Sequence, residues 1–369
     1  MQLTRNPDGS LARVGRFFTE DCMKHPFLKV NGVLVSDPWN PLDYTVAKTC
    51  STNEGALEKW ESHYEKLKPI IKDSCADIEQ EDIVYVVASG PSVAKNIHEL
   101  KGIKHGKVMG LNITPKMTKC DYFASMDYSI KPEACFNGDE KMVGLFSPQV
   151  NYEIPYADVF SRRLWGIPAL VLPLFDRIRK DFPYLPQLTT SPNTSFMALE
   201  WLVRYVKPKV IVLIGFDFCG HIMKDVETCR MHPDGHDDFK PEGDWKQFAT
   251  LGIDGEPVLY IDLYRRILQH HIPFFWFCID HGIKIVNATE GGLLWENCTC
   301  MKLKTAVAMC NLFGESKDES ILPEQKTETR AITDEKNDSL LSLLEKMKGE
   351  EDGNCNSEAR TPEAVGNTV

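Results

Sequence analysis

The chain has no run of about 18 consecutive apolar residues, the length a membrane span needs, although 43% of its 369 residues are hydrophobic. Its first stretch, MQLTRNPDGSLARVGRFF, lacks the apolar segment of a secretory signal, so the expected location is the cytoplasm. A basic excess is missing as well. Lys and Arg number 42 against 53 Asp and Glu, a net charge of −11, which excludes a broad nucleic-acid platform. Much of that charge is local: residues 315–369 carry 14 acidic and 7 basic side chains, −7 of the −11, leaving about −4 for the other 314 residues. The 12 cysteines are scattered without a disulfide-framework spacing and are expected to be reduced and mostly buried. No Walker lysine follows the main glycine turn, and Ala88 stands where a dinucleotide fingerprint has its first glycine.

What is present reads as an α/β protein. From Ile83 onward, short apolar runs alternate with helical stretches: Ile83–Val87, Val108–Ile113, Tyr122–Met126, Met142–Phe146, Ala169–Leu172, Val210–Phe216 and Ile283–Asn287. The runs are nearly continuous in apolar character, as strands buried on both faces are. The expected fold is a Rossmann-like, mostly parallel sheet flanked by helices. Thr189–Val206 and Leu259–His271 have helical spacing. Residues 1–80 read as an extension, with a hairpin around Asn31-Gly32 and a helix over 54–73. Residues 81–313 form the transferase domain of this reading. Residues 314–369 form an acidic, largely disordered tail in which Ser339–Lys348 has the pattern of a short amphipathic helix, a candidate peptide for a protein partner.

The candidate site begins with Ile83–Val87 running into Ala88-Ser89-Gly90-Pro91-Ser92. Glycine at a helix N-cap lets a ligand approach the backbone, and proline suits the first helical position. The expectation is an anion site at the open end of a helix, above the carboxyl edge of a sheet. Asp127 ends a second run, Asp217 a third, and Asn287-Ala288-Thr289-Glu290-Gly291-Gly292 a fourth. Carboxylates at strand ends can hold Mg²⁺ beside a phosphate, so Asp127 and Asp217 are the candidate metal ligands.

These motifs, in this order, resemble the 6-hydroxymethylpterin diphosphokinase-like family, which includes the catalytic region of motility accessory factor proteins that glycosylate flagellin. The family's fold is similar to that of bacterial CMP-sialyltransferases. The resemblance covers about residues 82–305, with Ala88 in place of a usual glycine and Tyr128 where a proline often follows the acid. It implies cofactor-binding roles for Ser89, Gly90, Pro91, Ser92, Asn112, Thr194, Ser195, Asn287, Thr289, Glu290 and Gly291. The catalytic candidates are Asp127, Asp217, His232 and His236.

Cys219, His221, Cys229, His232 and His236 cluster in sequence, which raises zinc binding beside a substrate-covering loop. The spacing fits no standard finger, and the position after a strand end favours the loop. The function expected first is Mg²⁺-dependent transfer of a diphosphate from ATP to an alcohol. The alternative is a glycosyltransferase using a CMP-sugar, with a histidine as base. A non-catalytic nucleotide- or sugar-binding module is the third reading. The partners expected are a small-molecule nucleotide and an acceptor substrate, with no nucleic acid and no membrane span.

Overall fold

The computed structural model describes residues 28–30, 33–35, 56–138, 141–168, 173–188, 193–225, 228–235, 249–259, 281–293 and 298–324, with isolated positions between 238 and 279. The tail helix expected at 339–348, the strand expected at 169–172 and His236 lie outside the described residues. So do residues 189–192 of the long helix and most of the helix expected over 259–271.

Leu28–Val30 (β1) and Val33–Val35 (β2) pair as an antiparallel hairpin around Asn31-Gly32. The body is a nine-stranded sheet. Its strands are Asp73–Ser74 (β3), Ile83–Val87 (β4), Lys107–Leu111 (β5), Tyr122–Ser125 (β6), Met142–Phe146 (β7), Phe160–Trp165 (β8), Val210–Ile214 (β11), Lys284–Asn287 (β16) and Thr299–Cys300 (β17). Their spatial order is β17-β16-β11-β4-β5-β6-β7-β8-β3. Every neighbouring pair runs parallel. Ile167–Pro168 (β9) and Gln187–Leu188 (β10) form a small parallel pair beside it.

Side-chain alternation divides the interior into two layers. On β4, Val84 and Val86 face one core, while Ile83, Tyr85 and Val87 face the other. On β11, Ile211 and Leu213 face the first, and Val210, Val212 and Ile214 the second. The first core is closed by helix Thr194–Trp201 and its π-helical continuation Leu202–Val206. That helix buries residues all round, as a helix enclosed by protein must. The second core takes helices Ala56–Leu67 (α1), Pro173–Asp181 and Leu303–Ser316. Helix α1 is built on Trp60, Tyr64 and Leu67, all buried in that core, so it is part of the main body. The last helix runs past residue 314, and Leu322 beyond it is buried, so the packed body extends further than the expected boundary at 313.

The chain leaves β4 towards β5 and β8 on one side, then returns to place β11, β16 and β17 on the other. The order reverses between β4 and β11. In open parallel sheets the crevice at the carboxyl ends of such a pair is where ligands bind. No helix among the described residues is long and apolar enough to cross a membrane.

Candidate functional site

A cleft of about 430 Å³ opens at that reversal. Ser89 and Gly90 line it after β4, Leu111 and Asn112 at the end of β5, Met126, Asp127, Tyr128 and Ser129 after β6, and Gln149 after β7. Asn193, Thr194 and Ser195 contribute from the start of the long helix, and Gly215 to Cys219 from the exit of β11. Met231, His232, Tyr264 and Trp60 complete it. The volume lies within the usual range for small-molecule sites. No lysine or arginine lines it among the described residues.

The glycine turn works differently from the sequence expectation. The helix after β4 is only Val93–Asn96, followed by a 3₁₀ stretch. The Gly90 amide is already used, donating to Gly215 O at 3.0 Å. A Cβ on Gly90 would stand 1.9 Å from Asp217 Oδ2 and 2.4 Å from Gly215 O. Glycine is therefore required where the exits of β4 and β11 cross. Gly292 has the same task from the other side: at φ +72 its Cβ would meet Asp217 Cα at 2.3 Å.

Asp217 is 1% exposed and sits at the centre of a buried knot. Ser92 Oγ donates to its Oδ2 at 2.8 Å, and His221 Nε2 pairs with its Oδ1 at 2.7 Å. Thr289 Oγ1 accepts from Phe216 N at 3.1 Å, and Asn287 Oδ1 accepts from Thr289 N at 3.0 Å. Glu290 Oε1 accepts from Asn96 Nδ2 at 3.0 Å and Leu303 N at 2.8 Å. Pro91, Ser92, Asn287, Thr289, Glu290 and Gly291 are thus gathered around the reversal point but do not line the cleft. Ser89, Gly90, Asn112, Asp127, Thr194, Ser195, Asp217 and His232 do line it.

Asp127 and Asp217, the expected magnesium ligands, both line the cleft with carboxylate oxygens already engaged by the protein. Both oxygens of Asp217 are taken, and Asp127 Oδ1 accepts from Ser129 N and Oγ, each at 2.7 Å. No group of three or more His, Cys, Asp or Glu side chains converges as a metal centre among the described residues, which do not include His236. Burial pushes the Cys219 thiol well above its ordinary value and that of Cys229 up to about 12. The segment expected to be a loop is instead partly a sheet. Gly220–Ile222 (β12), Cys229–Arg230 (β13), Ala249–Leu251 (β14) and Pro257–Leu259 (β15) make an antiparallel sheet of order β13-β12-β15-β14. It carries His232 to the cleft, where the ring's Nδ1 lies 3.0 Å from Ser89 O. A carbonyl only accepts, so Nδ1 bears the proton and the lone pair of the neutral ring sits on Nε2.

Two non-glycine residues of the lining have left-handed backbones, Asn112 at φ 52 and Phe218 at φ 53. The conformation is uncommon for a bulky residue and is often held at functional sites. Phe218 packs on His271, ring centroids 4.8 Å apart, and His271 Nε2 lies 3.0 Å from Ser195 Oγ. Asn193 caps the helix, accepting from Ser195 N at 3.0 Å and Phe196 N at 3.2 Å.

Sequence reasoning missed Gln149, Trp60 and His271, and had His221 only as a possible zinc ligand. Gln149 carried the signal used elsewhere, a polar residue just past an apolar run. Trp60 read as one residue of an apolar helical stripe, which is also true of it. His221 pairs with Asp217 four residues before it, whereas the Ser195 partner of His271 is distant in sequence.

The fold and cleft define a Rossmann-like α/β protein with a crevice at its strand-order reversal. Among solved structures the chain is similar to a MAf glycosyltransferase from Magnetospirillum magneticum AMB-1, at 14% sequence identity and a TM-score of 0.47. The match covers 82% of this chain and 44% of that one, so this chain spans less than half of that protein's length. No family model matches the chain, and no curated protein matches it. At that TM-score the likeness carries no argument about this chain's fold, and it does not show membership of the diphosphokinase-like family.

Proposed function

We propose that the cleft binds a nucleotide-activated sugar of the CMP type and transfers the sugar to a hydroxyl acceptor. The observation that carries this reading is the pairing of an oriented histidine with a lining that holds no lysine or arginine among the described residues. Transfer of a diphosphate from ATP requires cationic clamps or metal ions on several phosphates. Here the lining holds no lysine or arginine among the described residues, and Asp127 and Asp217 add negative charge of their own. A donor with one phosphate makes a smaller demand. The acceptor oxygen forms the new bond to the sugar's anomeric carbon, the bond from that carbon to the phosphate oxygen breaks, and CMP leaves with the electron pair. The acceptor proton passes to His232 Nε2.

A thermal-shift series on the full chain with CMP, CDP, ATP plus Mg²⁺ and NAD tests it. Ligand at 100 times its Kd stabilises by about 2.7 kcal/mol. The expected result is stabilisation by CMP above the others. Selective stabilisation by ATP would restore the diphosphate-transfer reading, and no response to any of the four would favour a non-catalytic module.

A further inference from the structure

Three residues of the cleft lining carry buried polar atoms that are left unpaired among the described residues. Gln149 is 2% exposed and its Oε1 has no hydrogen-bond partner among the described residues. Trp60, also 2% exposed, has the same deficit at Nε1, and Asn112 at Oδ1. All three side chains line the cleft. A buried polar atom without a partner costs about 1–3 kcal/mol, and native interiors keep few of them.

The lining around them is braced against closing on itself. Val150 N donates to Ser147 O and Asn151 N to Asp127 O, both at 3.0 Å, and Asn151 Nδ2 donates to Ile130 O at 2.9 Å. Those bonds tie the exits of β6 and β7 together on either side of Gln149. Trp60 packs edge-on against Tyr128 and Phe175, with ring centroids 6.0 and 6.1 Å away. Asn112 is fixed by its left-handed backbone.

The chemistry of the three atoms selects their ligand. Two are acceptors and one is a donor. With Asp127 beside them and no cation in the described lining, an anionic group is disfavoured there. A nucleobase would want an open aromatic face to stack on, and Trp60 offers almost no exposed surface. Hydroxyl groups both donate and accept, so they satisfy a mixed set.

The geometry points to this part of the lining as the pocket for the uncharged, hydroxyl- or amide-bearing part of the transferred sugar, with Gln149 as the residue that discriminates a sugar nucleotide from the bare nucleotide. Gln149 Oε1 and Asn112 Oδ1 accept from its O–H or N–H groups, and Trp60 Nε1 donates to one of its oxygens. This rests on the nucleotide-sugar reading above. It also gives α1 a functional part, since Trp60 comes from that helix.

The test is titration calorimetry on the full chain with CMP, UDP and GDP and with sugars linked to each, using wild type, Gln149→Leu and Gln149→Met. In wild type, at least one sugar nucleotide should bind about tenfold tighter than its parent nucleotide, the size of one recovered hydrogen bond. Both variants should lose that advantage while keeping the parent nucleotide's affinity. Their ligand-free melting temperatures should equal or exceed that of wild type, because an unpaired polar atom has been removed. A structural role for Gln149 would instead lower the melting temperature, and that result overturns the proposal. It is overturned equally if no sugar nucleotide outbinds its parent in wild type, if the advantage survives in the variants, or if they lose the parent nucleotide itself. Failure of all three parent nucleotides to bind wild type would instead strike the underlying nucleotide reading.

Discussion

The two sides of the cleft treat polar groups in opposite ways. At the floor, where the exits of β4, β11 and β16 meet, nearly every motif residue is spent on its neighbours. Ser92 and His221 hold Asp217, Thr289 holds Phe216 N, and Glu290 holds Asn96 and Leu303 N. At the wall, Gln149, Asn112 and Trp60 keep polar atoms that nothing in the described protein satisfies. The difference teaches that a motif at a strand end can be needed to build a site without touching the ligand. The floor fixes the shape of the crevice, and in the proposed reading the wall with His232 meets the ligand.

The largest break in that contrast should come from the floor. Gly90→Val would press a side chain into Asp217 and the Gly215 carbonyl. Overpacking typically costs about 1–3 kcal/mol, and contact with backbone places this case at about 3 or above. In a body of this size that lowers the melting temperature by roughly 6–12 °C. An unchanged melting temperature with nucleotide binding lost would assign the glycine to ligand approach instead.

Two histidines sharpen the contrast further. His221→Ala strips a buried carboxylate of a partner and should cost about 3 kcal/mol of stability. His232→Ala should cost about 1 kcal/mol, since its hydrogen bond to Ser89 O is only part-buried. Yet it should lower turnover by about 10²–10⁴-fold, the range for a general base. Chemical denaturation paired with transfer assays separates them. Equal stability losses in the two variants would erase the distinction between brace and base.

The smallest effect concerns a half-paired group behind the cleft. Glu200 is fully buried; its Oε1 accepts from Arg204 Nη1 at 3.0 Å, while Oε2 is unpaired among the described residues. Burial raises its pKa from 4.5 to about 7, against the pull of Arg204. The folded state therefore keeps the proton longer than the unfolded state. Its contribution to stability is fully present below pH 4.5 and declines as pH rises to about 7, where the loss is complete. Glu200→Gln, which does not titrate, should gain on wild type by about 2–3 kcal/mol between pH 5 and pH 8. Parallel stability curves for the two proteins over that range would contradict the assignment.

Much of the sheet was legible because strands buried on both faces leave continuous apolar runs, as in Ile83–Val87 and Val210–Ile214, where every residue is buried. Phe160–Trp165 was not, since Arg162 and Arg163 break the run; Arg162 reaches Asp73 and Asp77, and Arg163 donates to the Pro155 and Ala157 carbonyls. The strands around His221 were hidden by brevity: Gly220–Ile222 and Cys229–Arg230 are too short to show alternation. At the site, the strand-end rule found Asp127, Ser89 and the segment near Asn287. It could not tell lining from bracing, because that depends on which partner lies across the reversal. Gly90 shows the limit best. Sequence shows that a glycine is there, and only the crossing of two strand exits shows what it makes room for.

The most direct test of the account is a crystal structure of the full chain with CMP bound. The account predicts the nucleotide in the cleft between β4 and β11, with His232 and Ser195 within hydrogen-bond distance and Asn287, Thr289 and Glu290 making no contact with it. CMP seated on Asn287 and Glu290, or bound outside this cleft, would contradict it.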